Sequence, residues 1–272
     1  MSQEQTTPER DAYGTKWASH VESPTRQRLR HEVYGDEFPA EVDPRSFLTW
    51  TELRRLAAEL RVGSGDTFVD LGCGHGGAAL WVASETSAHA LGIDLSAVAI
   101  ARAQARAEEL GLSGRARFEV GDIVATGLPD AGIDGAMSVD TLWAVPDKVG
   151  ALREIARILK PSARFAFTNW DRDRQPPGYP PPLDDHRSLL EQAGFTVELY
   201  ELQPDAEVNR RAYYEQVVAA EPIILQEMGE EATSRLMFEA KGTLGLLDGV
   251  DYLAHSRRIL VVARKHGSSA RS

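Results

Sequence analysis

Apolar residues recur along this chain in two rhythms, as short continuous runs and as stripes with helical spacing. The short runs predict seven strands, at Thr67–Leu71, Ala90–Ile93, Arg117–Val120, Gly135–Val139, Arg164–Thr168, Thr196–Leu202 and Arg258–Ala263. The stripes predict helices between most of these strands, at Ala78–Ala83, Ala97–Leu110, 148–159 and Asp184–Ala193. Strands that alternate with helices form right-handed crossovers, so we expect an α/β fold whose mostly parallel sheet is covered on both faces.

Helical segments flank this alternating core and divide the chain into four parts. Residues 1–61 form an N-terminal helical unit whose clearest stretch is Thr51–Leu60, and residues 62–204 with 255–265 form the sheet core. Residues 205–254 interrupt the core before its last strand and contain two helical stretches rich in Tyr, Met, Leu and Phe. We expect residues 266–272 to be a flexible tail and the proline-rich segment 176–182 to be a rigid, extended connector.

Composition and charge narrow the class of partner. The chain has 272 residues, with 30 Lys and Arg against 41 Asp and Glu, and a net charge of −11. An acidic chain is poorly suited to bind nucleic acid, and no apolar run is long enough to span a membrane. Cys73 is the single cysteine, so we expect no internal disulfide and a cytoplasmic protein. The seven histidines lack metal-ligand spacing, so we expect no metal site.

The segment Val69–Gly77 carries the most specific pattern. A strand runs into glycines that permit a tight turn, and a helix N-terminus follows, which is the geometry of a nucleotide pocket. Gly72, Gly74 and Gly77 also fit the dinucleotide pattern G-x-G-x-x-G, and a turn without a ligand remains an alternative. Asp70 favours a cofactor with an amino group, because a carboxylate at this position would repel a diphosphate.

Two further carboxylates follow the next two strands. Asp94 can accept hydrogen bonds from both hydroxyls of a ribose, or can stabilise the N-terminus of the following helix. Asp122 can accept from an adenine amino group while Ile123 packs on the ring, or can be a turn residue. Taken together at these spacings, Asp70, Asp94 and Asp122 favour a nucleoside cofactor.

These motifs resemble those of class I S-adenosyl-L-methionine-dependent methyltransferases that act on small molecules, as in ubiquinone and natural-product biosynthesis. Asp70 to Gly74 resembles their D-x-G-x-G motif, and residues 134–147 resemble their fourth-strand motif. Residues 152–161 resemble the helix that usually ends in Leu-Lys-Pro-Gly, with Ser162 in place of that glycine. The resemblance implies a doubly wound, seven-stranded Rossmann-like sheet with an antiparallel last strand. It also implies S-adenosyl-L-methionine as cofactor and S-adenosyl-L-homocysteine as product.

The resemblance assigns cofactor contacts to the glycine loop and the strand ends. Beside the three aspartates and Ile123, the expected cofactor-binding residues are Gly72, Cys73, Gly74, Leu95 and Ser138 in the core, and Tyr13 and Trp17 in an N-terminal lid. Methyl transfer mainly requires alignment of the acceptor with the methyl group and exclusion of water, so a general base is not obligatory.

The catalytic candidates are Asp140 at the fourth strand tip, His20 in the N-terminal unit and His255 beside the insertion. Trp143 and Ala144 stand where many relatives carry a pair of histidines, which argues against a histidine base from that loop. A turn carboxylate is an equal alternative for Asp140, and a surface or structural position is an alternative for each histidine.

In relatives, the insertion before the last strand covers the acceptor. The candidate substrate-binding residues are Tyr34, Trp143, Trp170, Tyr213, Tyr214, Met237, Phe238 and Tyr252. Such clusters also form plain helical cores. As a cap, they predict a fairly hydrophobic small molecule, such as a natural-product intermediate.

Several interpretations of function stay open at this point. The first is a methyltransferase with an oxygen, nitrogen or carbon acceptor, acting as a monomer or homodimer. The second is a cyclase that holds the cofactor without consuming it, and the third is a non-catalytic cofactor-binding subunit of a larger complex. A nicotinamide-dependent dehydrogenase is a further alternative, which Asp70 opposes.

Overall fold

The computed structural model describes residues 23–44, 46–176, 179–203 and 205–267. Three residues singled out from the sequence, Tyr13, Trp17 and His20, lie outside these ranges, as does most of the expected tail. Among the described residues, no helix has both the length and the apolar character needed to cross a membrane.

Seven strands form a single sheet. In chain order they are β1 (Thr67–Leu71), β2 (His89–Asp94), β3 (Ala116–Val120), β4 (Ile133–Val139), β5 (Leu159–Arg172), β6 (Phe195–Leu202) and β7 (Ser256–Lys265). Their order across the sheet is β3-β2-β1-β4-β5-β7-β6. The first five are parallel, whereas β7 runs antiparallel to both β5 and β6. This confirms the predicted doubly wound sheet with an antiparallel last strand.

The helices begin and end close to the predicted positions. They are α1 (Pro24–Tyr34), α2 (Trp50–Leu60), α3 (Gly77–Thr86), α4 (Ala97–Glu109), α5 (Lys148–Ile158), α6 (Arg187–Gln192), α7 (Asp205–Ala219), α8 (Glu221–Met228) and α9 (Glu230–Thr243). Ser96 and Asp147 cap α4 and α5 by accepting from backbone amides three residues further on. Gly111 follows α4 with a φ of 67°, the left-handed conformation of a C-terminal cap.

Alternate strand residues supply two hydrophobic cores, one on each face of the sheet. In β1, Phe68 packs in the core covered by α2, α3 and α4, whereas Val69 and Leu71 pack in the core covered by α5 and α6. In β5, Ala166 packs in the first of these cores and Phe167 in the second, because successive side chains of a strand point to opposite faces of the sheet. Because both faces are covered, the carboxyl edge of the sheet is held in a fixed position.

The flanking helices differ from the predicted division of the chain. α2 packs on the sheet through Leu53, Leu56 and Leu60, so it belongs to the core rather than to an N-terminal lid. α1 packs instead on α7 and α8 of the insertion. The insertion has three helices where two were predicted, because Pro222 lies in the first turn of α8 and Gly229, with a φ of 78°, separates α8 from α9.

Arg258, on β7, joins three parts of the fold. Its side chain is 1% exposed, and Nε donates to Glu52 in the first turn of α2 at 2.6 Å. Its Nη1 donates to both carboxylate oxygens of Asp140, just after β4, at 2.7 and 2.8 Å. Glu52 also forms a capping box with Thr49. Since both carboxylates are buried with the guanidinium, each charge in this group depends on the others.

Replacing Arg258 by methionine would leave Glu52 and Asp140 buried without their common partner. We expect a loss of about 3–5 kcal/mol in the free energy of unfolding, measured by urea denaturation at neutral pH. Arg264→Met is the matched control, because Arg264 lies on the same strand and pairs with Glu198 near the surface, where a lost pair costs about 0–1 kcal/mol. Equal losses in the two variants would contradict the role given to Arg258.

Candidate functional site

The glycine loop after β1 lies at the carboxyl edge of the sheet, beside the end of β2. The amides of Gly72 and Cys73 donate to the carbonyl of Ile93, at 2.7 and 3.1 Å, and tie the loop to β2. Gly72 has a φ of 76°, and a Cβ built there would lie 2.3 Å from the side chain of Thr141. Any side chain at this position would push the loop away from the strand ends, so the site requires glycine here.

Asp94, at the end of β2, faces the same loop. One carboxylate oxygen accepts from the amide of Gly74 and the other from the amide of Ser96, both at 2.9 Å. These bonds fix the orientation of the carboxylate, and each oxygen keeps a second lone pair for a ligand. Burial raises the pKa of Asp94, although the two amides act against that effect.

Asp70 lies deeper and is 1% exposed. Its Oδ1 is buried and accepts no hydrogen bond from the described residues. Burial, with a further contribution from the charge of Asp94, raises the pKa of Asp70 to about 8. A buried carboxylate oxygen without a donor is unfavourable, and a ligand ammonium group in the adjoining cavity would supply that donor.

A cavity of about 250 Å³ adjoins these carboxylates; we call it the cofactor cavity. Its lining includes six of the residues predicted to bind cofactor, namely Asp70, Gly72, Cys73, Gly74, Asp94 and Leu95. Trp143 and Trp170, predicted to bind substrate, line it as well. Two other cavities, of about 240 and 480 Å³, share lining residues with it, so the three occupy neighbouring space at the strand ends.

Aromatic side chains from distant parts of the chain meet around this space. The ring of Phe47 packs edge-on against Trp170 and Tyr214, at centroid distances of 6.2 and 5.6 Å. The amide of Phe47 donates to Asp140 at 3.2 Å, so the Arg258 ion pair also holds the segment that carries this ring. The result is an apolar wall next to the polar strand ends.

Five of the eight predicted substrate-binding residues line the two adjoining cavities, namely Trp143, Tyr213, Tyr214, Phe238 and Tyr252. Met237 lies instead in the buried core of the insertion, at 3% exposed. Tyr34, on α1, has a buried hydroxyl that bonds to no described residue, and burial raises its pKa. Helical spacing predicted aromatic clustering here but did not separate core residues from cavity residues.

Three predicted cofactor contacts differ from the cavity lining. Ser138 is fully buried within the sheet, where its hydroxyl donates to the carbonyl of Leu71 at 2.8 Å. It therefore supports the end of β1 rather than facing the cavity. Ile123 packs in the core, and Asp122 accepts from the amide of Val124 at 3.1 Å. Contacts of Asp122 and Ile123 with the cofactor stay predictions.

The two catalytic candidates that the structure describes are both engaged by polar partners within the fold. Asp140 lines the cofactor cavity, but both of its oxygens accept from Arg258. Both oxygens are therefore engaged within the fold, where they hold the tip of β4 against β7. His255 lies 2.8 Å from Asp173 through Nδ1 and is outside the lining of the three cavities. Neither arrangement fits the predicted role of general base.

Some residues of the site were not predicted, although the sequence carried a signal for them. His75 lies within the glycine loop and lines two of the cavities. Arg172 is two residues beyond Trp170 on β5, and Arg210 is three residues before Tyr213 on α7. The periods of a strand and of a helix place each arginine on the same face as the predicted aromatic residue.

A second buried network positions Trp143. The side chain of Asn169 accepts from the amide of Trp143 at 3.1 Å, and its Nδ2 lies 2.9 Å from Nε2 of His186. Nδ1 of His186 lies 2.7 Å from Asp171, which also accepts from the hydroxyl of Tyr200 at 2.7 Å. His186 is thus a buried structural residue that links β5 and β6 to the loop after β4.

Comparison with known proteins agrees with this geometry. The family described as a methyltransferase domain matches residues 63–220, which is more than half of the chain. The chain belongs to this methyltransferase family. Membership confirms the resemblance inferred from the glycine loop and the strand ends, and with it S-adenosyl-L-methionine as the cofactor of the family.

Two curated relatives show how far the likeness in sequence extends. The 27-O-demethylrifamycin SV methyltransferase of Amycolatopsis mediterranei (strain S699) is 31% identical over 141 residues, which are 52% of this chain and 50% of that protein. The O-methyltransferase rstn1 of Aspergillus nomiae is 30% identical over 181 residues, which are 61% of this chain and 80% of that protein. The chain therefore spans about half the length of the first of these relatives.

Solved structures extend the likeness in fold to the flanking helices. The [4+2]-cyclase SpnF superposes with a TM-score of 0.74 over 95% of this chain and 97% of that chain, at 23% sequence identity. At this identity the likeness shows the fold alone. It covers the described N-terminal helices and the insertion as well as the sheet.

The unliganded protein is expected to lose stability through Asp70 as the pH rises from about 4 to about 8. The pKa of Asp70 is 3.8 ordinarily and about 8 in the fold, so the folded state binds more protons across this window and is destabilised as Asp70 ionises. Asp70→Asn cannot ionise, so its stability relative to wild type should increase with pH. Urea unfolding near both ends of the window measures this difference. Asp130→Asn, at an exposed carboxylate, serves as control, and a pH-independent difference for Asp70→Asn would contradict the assignment.

Proposed function

We propose that the protein is an S-adenosyl-L-methionine-dependent methyltransferase that acts on a fairly hydrophobic small molecule. One observation carries the proposal. Two carboxylates suited to the cofactor, Asp70 and Asp94, line a cavity that shares Phe47 with the adjoining aromatic-walled cavity. Family membership supports the reaction class, and the geometry supports the choice of residues.

Asp70 and Asp94 would hold two polar groups of the cofactor. The orphaned Oδ1 of Asp70 suits the amino group, because a cationic donor would satisfy that oxygen and stabilise the ionised carboxylate. The free lone pairs of Asp94 suit the two hydroxyls of the ribose. When bound, the cofactor supplies an electrophilic methyl group on a sulfonium sulfur.

The aromatic residues align the acceptor and exclude water. Nε1 of Trp143 donates to the carbonyl of Asp140 at 2.7 Å, so its indole is held in one orientation. Trp170 is 3% exposed and is packed against Phe47. Rigid walls of this kind reduce the motions available to a bound acceptor, and proximity with desolvation accounts for much of the rate of a displacement reaction.

An acceptor that carries a proton needs a group to receive it. We assign this part to His75, because this residue lines both the cofactor cavity and the larger aromatic cavity. An imidazole changes charge close to neutral pH and is therefore suited to accept a proton there. Asp140 is not assigned this part, since Arg258 occupies both of its oxygens.

The lining of the cavities and the names of the relatives support a proposal for the class of acceptor. The cavities present mainly aromatic and aliphatic surface, and one relative is named as a methyltransferase of 27-O-demethylrifamycin SV. Both support an intermediate of secondary metabolism, such as an antibiotic precursor. The net charge of −11 opposes a nucleic-acid substrate.

The second candidate function is a cyclase that retains the cofactor without consuming it. The likeness in fold to SpnF over 95% of this chain favours this alternative. The polar contacts that engage Asp140 and His255 within the fold favour it as well, because a cycloaddition requires no proton transfer.

Asp94→Ala is expected to weaken the binding of S-adenosyl-L-homocysteine about tenfold or more, equivalent to about 1.4 kcal/mol. The substitution removes the acceptors for the ribose and releases the amide of Gly74. Isothermal titration calorimetry measures the affinity. Glu119→Ala is the control, since Glu119 is a carboxylate on the neighbouring strand β3 that pairs with Arg117 at the surface. Unchanged affinity in Asp94→Ala would refute the cofactor assignment.

Cofactor turnover separates the two candidate functions. The protein is incubated with S-adenosyl-L-methionine and a panel of apolar, hydroxylated natural-product precursors, and both small molecules are followed by mass spectrometry. A methyltransferase forms one S-adenosyl-L-homocysteine for each methylated product. A rearranged product of unchanged mass, formed with no loss of S-adenosyl-L-methionine, would identify the cyclase instead.

A further inference from the structure

Four arginines are at least nine-tenths buried among the described residues, namely Arg164, Arg172, Arg210 and Arg258. Two of them have carboxylate partners within the protein. Arg258 pairs with Glu52 and Asp140. Arg164 pairs with Glu59 at 2.6 Å and with Glu198 at 2.5 Å. Arg172 and Arg210 form no ion pair with any described residue. A buried charge without a counter-charge is costly, so these two require an explanation that the other two do not.

Arg172 and Arg210 have few hydrogen bonds. Nη1 of Arg172 donates to the side chain of Gln175 at 3.0 Å, and Nη2 of Arg210 lies 3.5 Å from the hydroxyl of Tyr214. The Nε atoms of both arginines are buried and donate to no described group. Burial lowers the pKa of Arg172 to about 9, and the positive charge of Arg210 contributes to this shift. The charge of Arg210 therefore disfavours the charged form of Arg172.

Aromatic rings hold the two guanidiniums in place. Arg210 lies 4.6 Å from the ring of Trp170 and 4.9 Å from that of Phe47, and Arg172 lies 4.9 Å from the ring of Trp143. Cation–π contacts offset part of the desolvation, but they leave the in-plane N–H groups of the guanidinium available for hydrogen bonds. A guanidinium stacked in this way is pre-organised to bind an anion at its edge.

Both arginines line the cofactor cavity and also the 240 Å³ cavity beside it. From this placement we infer that the acceptor carries an anionic group, a carboxylate or a phosphate, which binds Arg172 and Arg210 and anchors the acceptor next to the methyl donor. The inference rests on the proposed methyltransferase function and specifies its substrate class.

The rest of the 240 Å³ cavity defines the remainder of the acceptor. Its lining includes apolar surface from Trp143, Tyr179, Phe238 and Leu247. An apolar body in contact with these residues, joined to an anionic head group at the arginines, describes an amphipathic acid rather than a neutral hydrocarbon.

Acidic residues near the arginines do not replace that anion. Glu239 lines the same cavities and accepts a hydrogen bond from the hydroxyl of Tyr214, and Asp248 accepts from Tyr252. Burial acts to lower the pKa of Arg210, but Tyr214 and Glu239 outweigh it and the pKa is raised. Asp140 also acts to raise the pKa of both arginines, but it is already paired with Arg258. Glu239 alone does not balance two guanidiniums, so a positive charge is left for the ligand to neutralise.

Three probes with the same alkyl chain and different head groups test the inference: decanoate, decyl phosphate and decan-1-ol. Their affinities are measured by isothermal titration calorimetry with wild-type protein, both with and without saturating S-adenosyl-L-homocysteine. We expect at least one anion to bind at least about tenfold more tightly than the alcohol, the magnitude of one or two charge-assisted hydrogen bonds. The tighter of the two anions identifies the head group as carboxylate or phosphate.

Variants then show whether the arginines are responsible. Arg172→Gln and Arg210→Gln should each lose about tenfold in affinity for the anion and should bind the alcohol as wild type does. Arg172→Lys and Arg210→Lys keep the charge and should recover most of the loss. Arg211→Gln is the matched control, because Arg211 is adjacent on the same helix and pairs with Asp251 at the surface. Melting temperatures of all variants establish that each is folded.

Equal binding of the alcohol and both anions, or no measurable binding of either anion, would overturn the inference. So would wild-type anion affinity in the two glutamine variants, or an equal loss in Arg211→Gln. A lack of S-adenosyl-L-homocysteine binding would refute the proposed function. It would leave the anion site testable, because the preference for anions is also measured without S-adenosyl-L-homocysteine. Should the glutamine variants not fold, the comparison of wild type with the lysine variants and of the three head groups decides the question.

Discussion

The buried ion pairs of Arg258 are the interaction on which the placement of the site depends. They connect Glu52 at the start of α2, Asp140 at the tip of β4 and the strand that follows the insertion, three segments far apart in sequence. Buried ion pairs add little net stability compared with apolar packing. They are directional, however, and the loss of one partner is strongly destabilising because it leaves the other charge buried and unpaired. The guanidinium also lies 5.3 Å from the ring of Trp170. One side chain thus sets the relative positions of the sheet edge, the N-terminal segment and the aromatic wall.

The same ion pairs constrain the chemistry. Asp140 adopts a φ of 51°, a conformation that is unfavourable for a non-glycine residue, and the surrounding bonds from Arg258, Thr168 and the amide of Phe47 hold it there. With these donors around it, the carboxylate is held in one position and anchors the segments that carry them. An anchor of this kind suits the proposed displacement reaction, in which the site aligns an acceptor and proximity supplies much of the rate.

The fold and the carboxylates of the cofactor cavity could be predicted from local sequence, whereas the aromatic wall of the site depends on tertiary contacts. Strand periodicity predicted all seven strands. The carboxylates near the ends of β1 and β2, Asp70 and Asp94, line one cavity because parallel strands end at a common edge. Spacing alone did not show that Ser138 is turned into the sheet or that Met237 packs in a helical core. Phe47 had no signal at all, since it lies in an irregular segment whose path is set by Asp140, 93 residues further along the chain.

The inferred anion site also reconciles an acidic protein with an acidic substrate. The chain carries a net charge of −11, but salt screens charges on the surface beyond about 8 Å. A small anion therefore meets little repulsion until it enters the cavity, where the low dielectric strengthens its attraction to Arg172 and Arg210. A polyanion keeps most of its charge outside the cavity and stays repelled. Specificity for the acceptor then comes from one compact charge joined to an apolar body. The insertion determines this specificity, because α7 supplies Arg210 and α9 supplies Phe238 to the lining of the same cavity.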